Sequence, residues 1–137
     1  MTQKTTFVPQ LIIGHGVTDI SFYTVAFGAV ELQRWSNNDG SIHVAELEID
    51  GAMFHLHEES KHDSNSIRGN LNLSPGAASG TTVIVGLMVD DVHAVFDRAV
   101  AAGAKIISPV VDYEYGYRQG DLLDPFSHHW LIEKILS

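Results

Sequence analysis

The chain of 137 residues contains no cysteine, which excludes disulfides, thiolate metal sites and a cysteine nucleophile. Basic residues are few. Eight Lys and Arg stand against 17 Asp and Glu, a net charge of −9 with histidine neutral. That balance argues against nucleic acid and anionic membranes as partners. It is compatible with a cationic ligand and equally with a purely solubilising role. No apolar run reaches the roughly 20 residues that span a bilayer. The opening MTQKTTFVPQ has no signal-peptide core, so a cytoplasmic location is the expectation. Nucleophilic catalysis finds no support: there is no Gly-x-Ser-x-Gly, and Thr81-Thr82 has no evident partner. Gly14-His15-Gly16 is too short for a phosphate loop and precedes no lysine.

What remains is a globular composition, 45% hydrophobic and 18% charged, on a length that suits one compact domain or two small modules. Self-similarity points to the second. Phe22 through Gly28-Ala29 is echoed by Phe96 through Gly103-Ala104, at offsets of 74 and 75 residues, and Leu56-His57-Glu58 lines up with Leu131-Ile132-Glu133 at 75. In the second half, Thr81 to Val89 reads as a strand. Asp90 or Asp91 caps a helix whose stripe is Val92, Val95, Phe96, Ala99 and Val100, with Gly103 as its stop. Strands follow at Ala104 to Val111, where Pro109 marks an edge or bulge, at Tyr117 to Leu123, and at His128 to Lys134. The first half repeats the order β-α-β-β-β. Its strand Phe7 to Ile13 precedes a helix from about Thr18 to Phe27 with Ile20, Tyr23 and Phe27 inward. Strands Ala29 to Trp35, Ser41 to Ile49 and Ala52 to Glu58 are joined by Asp-Gly turns at 39–40 and 50–51. The division is module one 5–58, a linker or flap 59–80 rich in Ser, Asn, Gly and Pro, and module two 81–137. The fold class is α+β. Each sheet carries one helix and leaves one face uncovered, so a shared cleft is where a ligand sits.

The stretches PQLIIG at 9–14, FYTVAFGAVEL at 22–32, DGSIHVAELEIDG at 39–51, VDDVHAVFDRAVAAGAKIISPV at 89–110 and YGYRQGDLLDPFSHHW at 115–130 resemble the vicinal oxygen chelate superfamily. That superfamily includes glyoxalase I, bleomycin-resistance proteins and extradiol dioxygenases; within it the sequence is similar to the PhnB-like group. The resemblance implies paired βαβββ modules forming curved mixed sheets around a cleft, commonly completed by a second chain. Metal-using members take one His or Glu from the first and last strand of each module. The matching positions are Val8, His55 or Leu56, Ile84 and Leu131. Val8, Ile84 and Leu131 cannot bind a cation, and a divalent ion needs about three or four ligands. No metal and no cofactor are therefore expected.

His128 and His129 are adjacent on a strand and point to opposite faces. His128 reads as a hydrogen-bonded residue fixing the turn, and His129 as a surface or dimer-edge residue. His55 and His57 share a face and, with His43 or a glutamate, form a candidate rearranged metal site; a plain polar strand face is the other reading. Glu46 matches a family glutamate and is either a cleft carboxylate or an ion-pair partner, with a parity opposed to His43. Trp35 lines the cleft or caps the sheet. Tyr115, Tyr117 and Arg118 fall in a Tyr-Gly-x-Arg pattern: the tyrosines offer amphipathic walls and the arginine a fork for a carboxylate, or an ion pair with Asp112 or Asp124. Trp130 matches the family tryptophan after the Asp-Pro turn. The candidate ligand-binding set is thus Trp35, Glu46, His55, His57, Tyr115, Tyr117, Arg118 and Trp130, with no catalytic residue assigned. The expectation is a homodimer that binds a small organic ligand without metal and sequesters a cationic compound. Two alternatives stay open: a metal-dependent lyase or isomerase of the glyoxalase type, and a scaffold or regulatory module that binds nothing.

Overall fold

The computed structural model describes residues 2–60 and 72–137. β1 (Gln10–Ile13), α1 (Ser21–Phe27), β2 (Val30–Ser36), β3 (Ile42–Ile49) and β4 (Ala52–Glu58) make a first βαβββ unit. A short helix, α2 (Pro75–Ala78), precedes a second unit. It comprises β5 (Ile84–Met88), α3 (Val92–Ala101), β6 (Lys105–Tyr113), β7 (Tyr117–Leu123) and β8 (His129–Ile135). Each unit holds one mixed sheet, ordered β1-β4-β3-β2 and β5-β8-β7-β6. The first strand of each pairs parallel with the last, and the other pairings are antiparallel. The α+β class with paired βαβββ units is as the sequence implies.

Local chemistry explains the elements. Asp50 and Gly51 both take positive φ, 53° and 86°, which is the two-residue turn whose twist matches an antiparallel hairpin. The Asp91 carboxylate accepts from the Ala94 N–H at 3.0 Å and starts α3. Val92, Val95, Phe96 and Ala99 are buried beneath that helix. Pro109 offers no N–H, and the β6–β7 register slips between Ser108 and Val111, so β6 crosses it as a bulged edge strand. Strand one is shorter than expected. Phe7 is 96% exposed and the ladder opens at Gln10. α1 likewise starts at Ser21, whose N–H is held by the Asp19 carboxylate at 2.9 Å. Helix α2, inside the expected linker, is capped by Ser74 with Pro75 in its first turn. Residues 61–71 of that linker, including His62, lie outside the described residues.

The internal repeat needs one correction. A strand offset of 75 would put Leu56 in register with Leu131, but Leu56 is fully buried while Leu131 is not. Pairing restores the match. Ala45 faces Leu56 and Leu47 faces Phe54 in one sheet; Gly120 faces Ile132 and Leu122 faces Trp130 in the other. Leu56 therefore corresponds to Ile132 and Phe54 to Trp130, an offset of 76. An odd slip would turn every side chain to the wrong face.

The core lies between the helices and one face of each sheet. Trp130, 1% exposed, packs 4.8 Å from Phe27 and 5.7 Å from Phe54 between ring centroids. Asp124 fastens the two units together. It is 3% exposed and accepts four hydrogen bonds. Its Oδ1 takes the N–H groups of Phe126 (2.8 Å) and His128 (3.0 Å), and its Oδ2 takes Tyr23 Oη–H (2.5 Å) and Trp130 Nε1–H (2.9 Å). Burial, and then the Asp124 charge beside it, push the Tyr23 phenol well above its usual range. His128 does more than fix the turn: its Nε2 donates to the Ile12 carbonyl at 2.7 Å, tying β8 to β1.

Candidate functional site

Each sheet has a helix-covered face and an open face, and strand alternation decides which residues share it. On the open face of the first sheet, Trp35, Val44 and His57 form one cross-strand row, and Gln33, Glu46 and His55 the next. Trp35 is 43% exposed. His55 is held by Gln10, whose Nε2–H donates to His55 Nδ1 at 3.0 Å, and its Nε2 lies 3.3 Å from Met53 Sδ. His57 donates from Nδ1 to the Glu58 carbonyl at 2.6 Å. His55 and His57 do share a face, with Glu46 opposite His55, while the register shift between Trp35 and Ser36 takes His43 out of simple alternation.

The second sheet's open face carries a different chemistry. Tyr113 pairs with Tyr117 across β6 and β7, and Tyr115 in the turn between them stacks on Tyr113 and lies tilted against Tyr117. The ring centroids are 5.2 Å apart for Tyr113–Tyr115 and 5.7 Å for Tyr115–Tyr117. Tyr115 Oη–H donates to Gln119 Oε1, and Gln119 Nε2–H donates to Glu133 Oε1 at 2.9 Å. Desolvation first, then the charges of Tyr113, Asp121 and Glu133, raise the Tyr115 phenol above its usual 10.0. One row further, His129 Nε2 meets Asp121 at 2.7 Å. His129 thus lies on the open face and is engaged by Asp121.

Two of the sequence candidates lie elsewhere. Trp130 is a core residue on the helix-covered face, with its indole N–H used by Asp124, and does not line the open face. Arg118 alternates away from Tyr117 and grips Asp112 with two bonds, 2.7 and 3.1 Å. The Arg118 hydrogen bond holds the Asp112 carboxyl below its usual range. The residues that sequence reasoning passed over are Gln119, Asp121 and Glu133. Their shared parity with Tyr117 across β7 and β8 was the available signal.

A third group gathers at the end of the first sheet, around a cavity of about 630 Å³. Glu58 receives His15 Nδ1 at 2.9 Å, His43 Nδ1 at 3.3 Å and Asn37 Nδ2 at 3.3 Å. The His43 and His57 rings lie 5.4 Å apart. Burial alone would raise the Glu58 carboxyl, but these hydrogen bonds outweigh it and hold it below the ordinary value of 4.5. Among the described residues, no three His, Asp or Glu side chains converge with a geometry that holds a metal ion. Val8, Ile84 and Leu131, at the positions the resemblance assigns to metal ligands, offer no side-chain donor atom. The residues present do not fit the superfamily's metal.

Two grooves of about 830 and 540 Å³ lie between the units, one lined by the β3–β4 turn, β5 and the end of β8, the other by β1, α2 and β5. Two βαβββ units, each with one helix-covered and one open face, define a paired-module α+β class of fold. The model of the Glyoxalase/Bleomycin resistance protein/Dioxygenase superfamily matches residues 15–132, and the chain belongs to that superfamily. An uncharacterised protein of Mycobacterium bovis is 38% identical over 124 residues, covering 90% of this chain and 79% of the relative. Among solved structures, TioX from Micromonospora sp. ML1 superposes with a TM-score of 0.68 at 25% identity, over 96% of this chain and all of the other. A gene product of Arabidopsis thaliana gives 0.66 at 26% identity, over 95% and 98% of the two chains.

Proposed function

We propose that this protein is a metal-independent small-molecule-binding member of the superfamily, within its PhnB-like group, whose open sheet faces hold a cationic organic ligand in a homodimer. The observation that carries the reading is the sorting of charge between faces. Glu46, Glu48, Asp121 and Glu133 stand on the open faces with Trp35 and the three tyrosines. Arg34 and Arg118 are turned away and engaged by Glu31 and Asp112, and Lys134 donates to the Asp90 carbonyl. Among the described residues, Lys105 alone brings a positive charge to an open face, at the far end of edge strand β6. Carboxylates and aromatic faces without a competing cation favour an organic ammonium. The Tyr115-Gly116-x-Arg118 and DPFSHHW stretches support the PhnB-like assignment. The homodimer is supported by apolar side chains on the outer strands, where Val30, Leu32, Ile106 and Ile107 are 45–56% exposed. We place the protein in the cytoplasm, given the absence of cysteine; no described helix is long and apolar enough to cross a membrane. The proposed organisation is module one 5–58, linker 59–80 and module two 81–137.

The test is a thermal-shift series of cationic amines and drugs, each beside a neutral analogue. A cationic binder at about 100 times its Kd adds about 2.7 kcal/mol of stability. No shift with any cationic compound would sink the reading. Metal analysis of untagged protein tests the other side: one metal per chain, lost on His55→Ala, would instead establish a rearranged metal enzyme.

A further inference from the structure

At the cavity of about 630 Å³ at the end of the first sheet, one residue fixes the hydrogen-bonding sense of three histidines. The Glu58 carboxylate accepts from His15 Nδ1 at 2.9 Å and from His43 Nδ1 at 3.3 Å, and the Glu58 backbone carbonyl accepts from His57 Nδ1 at 2.6 Å. A carbonyl oxygen has no proton to give, and neither has an ionised carboxylate. In each imidazole the proton therefore sits on Nδ1, and in the neutral ring Nε2 is a lone pair. None of the three Nε2 atoms makes a hydrogen bond among the described residues. His15 Nε2 stands 3.9 Å from Glu59 Oε1, acceptor against acceptor. Asp39 brings a third carboxylate into the same network. Its Oδ1 receives Ser41 Oγ–H at 2.6 Å, and Ser41 Oγ accepts at 3.0 Å from Asn37, which also donates to Glu58. Hydrogen bonds from Ser41 and Ser74 hold the Asp39 and Glu59 carboxyls below their ordinary ranges, and at Glu58 burial is outweighed by the bonds from His15, His43 and Asn37. The wall thus carries three negative charges, and among the described residues no lysine or arginine lines it. His15 and His43 are half-exposed, so a ligand can reach them.

We propose that this cavity is a binding site for a small cation rich in N–H donors, a guanidinium or primary ammonium group, which the Nε2 lone pairs of His15, His43 and His57 and the charges of Asp39, Glu58 and Glu59 hold together. Glu58 is also the positioning residue, because it sets which nitrogen of each ring faces a ligand as an acceptor. The chemistry follows from the parts. Carboxylates alone attract any cation, but acceptors without donors select one that can give hydrogen bonds. A quaternary ammonium brings the charge and leaves the lone pairs unmatched; a neutral amide brings N–H groups and leaves the charge unmatched. Only a donor-bearing cation answers both, through charge-assisted hydrogen bonds. Protons compete with it. Protonation of His15 or His43 turns an acceptor into a donor and adds a positive charge, so acid weakens the site. The site is separate from the aromatic open faces and stands whether or not those faces bind a cation.

The probes are N-methylguanidinium, its neutral isostere N-methylurea, and tetramethylammonium, which has the charge without N–H groups. Calorimetric titration reads their affinities, and nitrogen-15 spectra of the histidine rings read the tautomers. Wild type is expected to bind methylguanidinium about tenfold or more tighter than either of the others. Its affinity should rise between about pH 5 and pH 8. The spectra should show Nδ1–H forms of His15, His43 and His57, with their Nε2 signals moving as methylguanidinium is added. Glu58→Gln should abolish the preference for methylguanidinium over methylurea. Glu59→Gln, which keeps an acceptor for the Ser74 N–H, should lower it in a fold that Glu58 still holds. Asp97→Asn, on the exposed side of α3 in the second unit, should leave it in place. Equal affinity for tetramethylammonium would reduce the cavity to an acidic surface and overturn the inference. So would a preference that survives both Glu58→Gln and Glu59→Gln, an affinity that does not rise with pH, or no binding of methylguanidinium at high millimolar concentration. Each of these results leaves the open-face reading to its own thermal-shift test.

Discussion

Converting the Asp124 carboxylate to an amide sets an NH₂ against donors that are already in place. Its two oxygens receive four N–H or O–H groups, so either orientation of an asparagine leaves a buried clash of donors. Asp124→Asn is expected to cost about 3 kcal/mol in urea unfolding, whereas Tyr23→Phe, which removes one donor, costs about 1 kcal/mol. Equal costs would deny Asp124 its central place. Glu58 gives a pH prediction. Its folded carboxyl titrates below the ordinary 4.5, so its contribution is complete above that value and is lost as pH falls through the lower folded value. Glu58→Gln should be less stable than wild type at neutral pH, and its melting temperature should fall less steeply between about pH 5 and pH 3. Parallel melting curves across that range would show that Glu58 holds nothing through its charge.

At the scale of elements, α3 lies on its sheet through the absence of a side chain. A Cβ on Gly120 would fall 2.8 Å from both Phe96 Cε2 and Val110 Cγ2. Gly120→Ala should therefore lift the helix or displace the Phe96 ring, costing about 1–3 kcal/mol in unfolding; an unchanged melting temperature would refute that packing. Elements were legible where local chemistry decides them. The Asp50-Gly51 turn fixes the β3–β4 hairpin, and β4 and β7 fall where alternation puts them. Strand ends were not legible, because Phe7 and Val83 have strand-like residues but no neighbouring chain to bond to. The open face of the first sheet could be read from parity within β3 and β4. The Tyr115–Gln119–Glu133 relay could not, since it joins residues 14 apart whose alignment depends on the β7–β8 register. Trp130 misled for a related reason. A motif tryptophan and a cleft tryptophan look alike until the strand's phase is known, and here the phase turns it into the core.

For the whole molecule, the proposed homodimer sets a mass: light scattering should return twice the 15.0 kDa of one chain. A single-chain mass at micromolar concentration would remove the second copy from the cleft. The open faces differ, one carrying His55, His57 and Trp35 beside Glu46 and Glu48 and the other three tyrosines beside Asp121, His129 and Glu133, so the units are unequal halves despite their shared order of strands. They are also dependent halves. Tyr23 meets its acceptor 101 residues further along the chain, and His128 reaches a carbonyl 116 residues back. During synthesis the first unit leaves the ribosome with Tyr23 destined for the interior yet lacking Asp124, and with one carbonyl of its first strand still unclaimed. Its helix can form early, but its aromatic cluster has to wait until residues 124–130 have been made, so Tyr23, Phe27 and Phe54 stay without their final partners until then.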